Sequence, residues 1–263
     1  MLPVSVIIPC YRCIGTIARA IASVKAQSEA PAEVIIIDDA SNDDTVGFLE
    51  RLCTNYAPGR IRIISLGQNE GPGGARNAGW REATQRYIAF LDADDSWHPL
   101  KLSYQIAWLE RNPNVMLTGH PCPIFEKSIV ARTIPNEIAV REVRRAKILL
   151  SNNLPTSSVV LRRDIPYRFD PNKRYSEDYH LWMQIVLSGL PTWRIETPLG
   201  FIHKHAFAEG GASANLWKME KGELDAYRRV WADSLIGFPQ YLAISAVSLA
   251  KYLRRISVIL SFR

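Results

Sequence analysis

Tyr87-Ile88-Ala89-Phe90-Leu91-Asp92-Ala93-Asp94-Asp95-Ser96-Trp97 is the stretch that decides the fold. Its apolar run reads as a strand buried on both faces, and the run ends in carboxylates. Upstream, Val34-Ile35-Ile36-Ile37 is a second such run, closed by Asp38-Asp39-Ala40-Ser41-Asn42-Asp43-Asp44-Thr45. Val4–Ile8, ended by Pro9, and Ile61–Ile64 supply two more strands. Between them Ile14, Ile17, Ile21 and Val24, and later Val46, Leu49 and Leu52, recur at helical spacing. Gly71-Pro72-Gly73-Gly74 reads as a turn opening a helix over Ala75–Ala83. Strand and helix alternating in this way predict an α/β fold: a mostly parallel, Rossmann-like sheet with helices on both faces. Ligands of such sheets bind beyond the carboxyl ends of the strands, where both acidic clusters fall.

The chain has 263 residues, with 32 Lys+Arg against 26 Asp+Glu, a formal net charge of +6. Hydrophobic residues at 47% and charged residues at 22% exclude a disordered, collagenous or coiled-coil chain. The alternation breaks down after about residue 113, where prolines punctuate shorter segments. The predicted organisation is a nucleotide-binding half (1–112), an acceptor-facing half (113–212) and a helical tail (213–263). The N-terminus reads as a strand rather than a signal peptide, and no stretch has the length and apolarity of a membrane span. Four cysteines are too few for a disulfide framework and read as reduced thiols. Cys10 and Cys13, at Cys-x-x-Cys spacing, read as packing in the loop after the first strand; zinc would need a second ligand pair.

A hard divalent cation, Mg²⁺ or Mn²⁺, is the natural counter-charge for Asp38, Asp39, Asp92, Asp94 and Asp95, held by one or two carboxylates and substrate phosphates. Asp43 and Asp44 are read as turn and capping residues. Glu177-Asp178 opens a segment in which Leu181/Ile185 and Trp182/Val186 lie four apart, so this acidic pair sits at a helix start. Gly71-x-Gly73-x-x-Arg76 is a poor dinucleotide fingerprint: its last glycine is an arginine and it follows the third strand.

Five blocks, in order, resemble family 2 glycosyltransferases. They are Val4–Tyr11, Val34–Thr45, Asn69–Gly79, Leu91–Trp97 and Ser176–Trp182. The resemblance implies a GT-A fold, a nucleotide-diphosphate sugar donor (a UDP-sugar), a divalent metal and inversion at the anomeric carbon. It also implies the site: Pro9 and Tyr11 in the nucleotide pocket, Asp39 with Asp38 at the base, and Arg76 near the nucleotide. Asp92 would stand near the ribose and metal, with Ala93 beside it in the nucleotide-sugar site, Asp94 would ligate the metal, and Asp178 would be the general base. Family members carry a histidine before a Gly/Ser-rich loop near the metal. Here that histidine is His205, or His203 two residues earlier, while His98, His120 and His180 read as structural. The acceptor implied is a cell-surface glycan or lipid-linked glycan. The alternatives are a polyprenyl-phosphate sugar transferase and a non-catalytic nucleotide-sugar-binding or scaffold protein.

The basic surplus lies late, around Arg141–Lys147, Arg162–Arg174 and the tail, without the interleaved aromatics of a nucleic-acid face, so no nucleic-acid partner is expected. The tail is apolar and then basic, with no acid after Asp233. It reads either as an interfacial helix on an anionic membrane or as a helix packed on the core or in a homodimer. The expected location is cytoplasmic, peripheral on the cytoplasmic face of the membrane.

Overall fold

The computed structural model describes residues 1–54, 61–125, 139–203 and 215–261. Its frame is an eight-stranded sheet in the order β3-β2-β1-β4-β8-β6-β9-β7. The first four neighbours, β1 (Leu2–Cys10), β2 (Pro31–Asp38), β3 (Ile61–Ser65) and β4 (Tyr87–Phe90), are all parallel. β8 (Val160–Arg162) runs antiparallel between β4 and β6 (Leu117–Gly119). β9 (Thr192–Ile195) is parallel to β6, and β7 (Val140–Glu142) closes the edge antiparallel. A two-stranded antiparallel ribbon, β5 (Asp95–Trp97) with β10 (Gly200–Ile202), stands off the main sheet.

The continuous apolar runs follow from burial of both faces of this sheet. Ile7, Ile35, Ile37, Ile88 and Phe90 point into one core with α3 (Gly71–Glu82), α6 (Glu177–Leu187) and α7 (Leu216–Ala232). Val4, Val6, Ile8, Val34, Ile36 and Ala89 point into the other with α1 (Ile17–Lys25), α2 (Thr45–Cys53) and α4 (Lys101–Arg111). Each of the valine, isoleucine and phenylalanine side chains contributes roughly 1.5–3 kcal/mol by leaving water, and period-two alternation shares them between the layers. α5 (Arg145–Leu150) and α8 (Phe238–Ser261) complete the helices described.

Two expectations are corrected. Gly71–Gly74 is not a turn ahead of the helix but its first turn, since α3 already begins at Gly71. Pro72 is tolerated there because the amides of a first helical turn have no intrahelical acceptor. The glycines allow close packing: a Cβ on Gly73 would stand 3.3 Å from Glu177 Cγ and Phe169 Cβ, and one on Gly79 would stand 2.5 Å from Ile7 Cγ2. The second correction concerns the cysteines. Cys10 and Cys13 form a disulfide, their Cα atoms 5.7 Å apart across the turn that leaves β1, a separation that a bridge spans. Only Cys53 and Cys122 remain as thiols, so the reading of all four as reduced does not hold.

Candidate active site

The order β2-β1-β4 is a topological switch point: the chain leaves β1 to one side for β2 and later returns on the other side for β4. In open α/β sheets a switch point of this kind forms a crevice beyond the strand ends, and here register sets its walls. Cys10 pairs with Asp38 at the ends of β1 and β2, while β4 leads through Leu91 into Asp92–Asp95. Tyr11 is 48% exposed at the rim with the Arg12 guanidinium over its ring, and Pro9 lies half-buried on β1. Arg12, Ala40, Asn42 and Ser176 all adopt positive φ around this crevice. Non-glycine residues held in that conformation cluster at functional sites.

Asp38 and Asp39 are both buried. Asp38 accepts the Ser41 hydroxyl and backbone amide and so shapes the loop that also holds Arg12. Asp39 accepts the amides of Glu70 (2.7 Å) and Gly71 (2.9 Å), fastening the start of α3 to the end of β2. Burial raises the Asp39 pKa against the pull of these two amides. Each of its oxygens keeps a second lone pair directed elsewhere.

Arg76 lies at the centre. It is 4% exposed, donating from Nη2 to Asp92 Oδ1 (2.6 Å) and from Nη1 to Glu177 Oε1 (2.9 Å). Its Cζ stands 5.4 Å from the centre of the Phe169 ring. Burial lowers the Arg76 pKa, but the carboxylates of Asp92, Glu177 and Asp178 outweigh it and the net shift is upward. Arg76 therefore joins the carboxylates after β4 to the acidic pair at the start of α6.

A second link is the 3₁₀ turn Thr156–Ser158. Thr156 Oγ1 donates to Asp178 Oδ2 (3.0 Å), which also accepts Asn152 Nδ2 (3.1 Å). Ser157 Oγ donates to Asp95 Oδ2 (2.6 Å) and accepts the Asp92 amide (3.1 Å), and its carbonyl accepts Trp97 Nε1 (2.7 Å). Burial, with Asp92 nearby, pushes the Asp95 carboxyl up to about 8. Ala93 is buried between Asp92 and Asp94. Arg19 of α1 donates to the Asp94 carbonyl at 2.6 Å.

The structure thus brings Pro9, Tyr11, Asp38, Asp39, Arg76, Asp92, Ala93, Asp94 and Asp178 to the carboxyl end of the sheet. His205 lies outside the described residues. His203 is described: its Nε2 is 2.7 Å from Ser96 Oγ and its ring stacks on Phe125. Burial and Arg19 lower its pKa, and Asp94 opposes them. His98, His120 and His180 lie apart from these contacts, with His120 and His180 buried. Asn152, Thr156, Ser157 and the bridging role of Glu177 were not legible in the sequence. A hydroxyl run after Pro155 was the only signal, and its partners stand 22 and 62 residues away.

The carboxyl end of β4 carries hard oxygen donors, the carboxylates of Asp92, Asp94 and Asp95. That donor set fits Mg²⁺ or Mn²⁺. Among the described residues no three His, Cys, Asp or Glu side chains are gathered tightly enough to hold a metal unaided.

A half-parallel sheet with its carboxylates at the switch point and an acidic helix start facing them defines a GT-A fold. The family model described as Glycosyl transferase family 2 matches residues 5–172, and the chain belongs to that family. It is 30% identical over 223 residues to the Escherichia coli UDP-Glc:alpha-D-GlcNAc-diphosphoundecaprenol beta-1,3-glucosyltransferase WfgD, covering 84% of each chain. It is 31% identical to the succinoglycan biosynthesis protein ExoO of Rhizobium meliloti, over 76% of this chain and 60% of the relative. Among solved structures, S. aureus TarS 1-349 in complex with UDP-GlcNAc superposes with a TM-score of 0.71 at 20% identity, covering 94% of this chain and 71% of that one. The mannosyltransferase PcManGT of Pyrobaculum calidifontis, in complex with GDP-Man and Mn²⁺, gives 0.68 at 18% identity, covering 99% and 79%.

Proposed function

We propose that the chain is an inverting, metal-dependent glycosyltransferase that moves a hexosyl or N-acetylhexosaminyl group from a UDP-sugar to a hydroxyl of a glycan or lipid-linked glycan. The observation that carries this reading is the double link across one crevice: Arg76 joins Asp92 to Glu177, and the Thr156–Ser158 turn joins Asp95 to Asp178. Two relatives of this chain named as UDP-Glc:alpha-D-GlcNAc-diphosphoundecaprenol beta-1,3-glucosyltransferases, WfgD and WfaP of Escherichia coli, support the donor and the diphosphate-lipid acceptor. Residues 1–112 form the donor half, 113–212 the acceptor half and 213–263 the tail.

Asp178 is the general base. As the acceptor oxygen attacks the anomeric carbon, its proton passes to the Asp178 carboxylate and the bond to the nucleoside diphosphate breaks on the opposite face. One displacement of this kind inverts the anomer, and a positioned base supplies typically ~10²–10⁴-fold. Asp39 and Asp38 receive the base, with Pro9 and Tyr11 lining its pocket, and Ala93 leaves room beside the ribose. Arg76 keeps Asp92 and Glu177 in register. Asp94 and His205 would hold Mg²⁺ or Mn²⁺, with Asp92 near the ribose and metal, and the cation when bound offsets the charge gained by the leaving diphosphate. The work is peripheral, on the cytoplasmic face of an anionic membrane.

The test is transfer from a panel of UDP-sugars with Mn²⁺, scored beside donor binding by thermal shift. Asp94→Asn is expected to abolish metal-dependent donor stabilisation and transfer. Asp178→Asn is expected to spare donor binding and remove transfer. Transfer persisting in Asp178→Asn refutes the base. It would favour a polyprenyl-phosphate acceptor, whose ionised phosphate has no proton to give up. Donor binding without transfer to any acceptor would favour a binding or scaffold protein.

A further inference from the structure

Arg76 and Arg19 both reach the stretch after β4, from helices on opposite faces of the sheet, and they are used differently. Arg76, on α3, is spent on carboxylates, with Nη2 on Asp92 and Nη1 on Glu177. Arg19, on α1, gives its Nη2 to the main-chain carbonyl of Asp94, while its Nε is buried without a hydrogen-bond partner. A carbonyl takes up one N–H and leaves the guanidinium charge uncancelled. That charge acts on Asp95 and on His203, so Arg19 is within electrostatic reach of both the acids after β4 and the residue that follows β10.

The fold holds this side chain at the crevice. α1 follows β1, so its N-terminal turn lies at the carboxyl end of the sheet. Beyond its C-terminus the chain is fastened to the segment after β5. Gln27 Nε2 donates to the His98 carbonyl (2.9 Å), Gln27 Oε1 accepts the Leu102 amide (3.0 Å), and the Ser28 amide donates to the Pro99 carbonyl (2.8 Å). Arg19 stands in the first turn of α1, which contains no acid. A cation is disfavoured at that end of a helix, so Arg19 does not serve the helix itself. Tethering one carbonyl uses a single N–H, and the rest of the fork is left for an acceptor of opposite charge.

We infer that Arg19 hydrogen-bonds the diphosphate of the nucleotide-sugar donor from the α1 side of the crevice, an inference that rests on the donor proposed above. A guanidinium offers parallel N–H groups to phosphate oxygens. It carries its charge with or without a divalent cation. Its bond to the Asp94 carbonyl places it beside the carboxylate that would bring the cation to the same phosphates. Arg76, engaged on Asp92 and Glu177, is not free to do this.

The experiment is calorimetric titration of the full chain with UDP and with uridine, each in EDTA and in Mn²⁺. In EDTA the wild type is expected to bind UDP more tightly than uridine. Arg19→Met is expected to lose that preference, with UDP affinity falling roughly 10–100-fold and uridine affinity unchanged. Arg19→Lys, which keeps the charge without the fork, is expected to lose UDP affinity severalfold, so the test stands even where the methionine variant fails to fold. Equal wild-type affinity for UDP and uridine in EDTA overturns the inference, as does a preference that survives both substitutions. A loss seen only with Mn²⁺ also overturns it, because Arg19 would then act solely by holding the metal ligand. A wild type that binds neither compound even with Mn²⁺ overturns the donor reading itself, whereas UDP binding with Mn²⁺ upholds that reading whatever the variants do.

Discussion

Arg76 Nη1 stands 2.9 Å from Glu177 Oε1, a buried ion pair between residues 101 positions apart. One guanidinium thereby fixes the first helix turn of the acidic pair against the strand end that carries Asp92. Removing it leaves two carboxylates facing each other in a desolvated site. Arg76→Ala is expected to destabilise the fold by about 3–5 kcal/mol, measured by urea unfolding. Arg76→Lys, which keeps the charge but loses the two-pronged geometry, should recover only part of that.

Thr156 is a positioning residue for Asp178. Thr156→Val removes one of the two side-chain donors to Oδ2 while keeping the shape. On the proposed function, kcat is expected to fall by roughly 10–100-fold through misplacement of the base, with the donor KM unchanged. Thr156→Ser, which restores the hydroxyl, should recover most of it. A matching rise in donor KM would mean that the turn supports the crevice generally.

Gly79 is where α3 comes closest to the sheet. An added Cβ would lie 2.5 Å from Ile7 Cγ2 and 3.3 Å from Ile37 Cγ1, both in fully buried side chains. Alanine is the better helix former by about 1 kcal/mol, but overpacking a filled core costs about 1–3 kcal/mol. Gly79→Ala is expected to be net destabilising, with a lowered Tm in thermal unfolding. A raised Tm would show that α3 can lift from β1 without loss.

His180 supplies a pH dependence. It is 4% exposed, and neither ring nitrogen has a hydrogen-bond partner. Burial, then Lys173 and Arg229, push its pKa down from 6.5 to about 4, against Asp170 and Asp233. The unfolded chain thus takes up this proton first as pH falls. The contribution is complete above pH 6.5 and is lost on descending to pH 4, about 3 kcal/mol in all at 1.36 kcal/mol per pH unit. Across that window, on descending from pH 6.5 to pH 4, the unfolding free energy of the wild type should fall relative to that of His180→Met. Parallel curves would exclude the histidine.

Lys101 has the opposite balance at neutral pH. Its ammonium is fully buried, 4.0 Å over the Trp97 ring, without a hydrogen-bond acceptor, and burial lowers its pKa to about 7. The aromatic face returns only about 2 kcal/mol of the desolvation cost. Lys101→Met, similar in volume, is expected to stabilise the chain at pH 7, with a smaller gain at pH 10 where the unfolded lysine also begins to lose its proton. Destabilisation at pH 7 would show that the Trp97 contact outweighs burial.

The strands of the donor half and the acids at their ends were legible because they are local. Apolar runs such as Val34–Ile37 state two-faced burial directly, and Asp92–Asp95 follows its strand without a gap. The start of α3 was misread because Gly-Pro-Gly-Gly is locally a turn sequence. In the fold, Asp39 binds the Glu70 and Gly71 amides from 31 and 32 residues away and so favours the helix. The cysteine pair was misread from composition, which carries no information on how the turn after β1 brings Cys13 back to Cys10.

By itself the sequence determined the α/β alternation, the parallel opening of the sheet, and which residue types would stand at the strand ends. Those follow from periodicity and from chemistry within a few residues of chain. Only the tertiary structure decided that Arg76 would bridge Asp92 to Glu177, and that a hydroxyl turn would hold Asp178 and Asp95 together. Each of these joins residues separated by tens of positions, and their distances depend on how the sheet, its register and the helices pack.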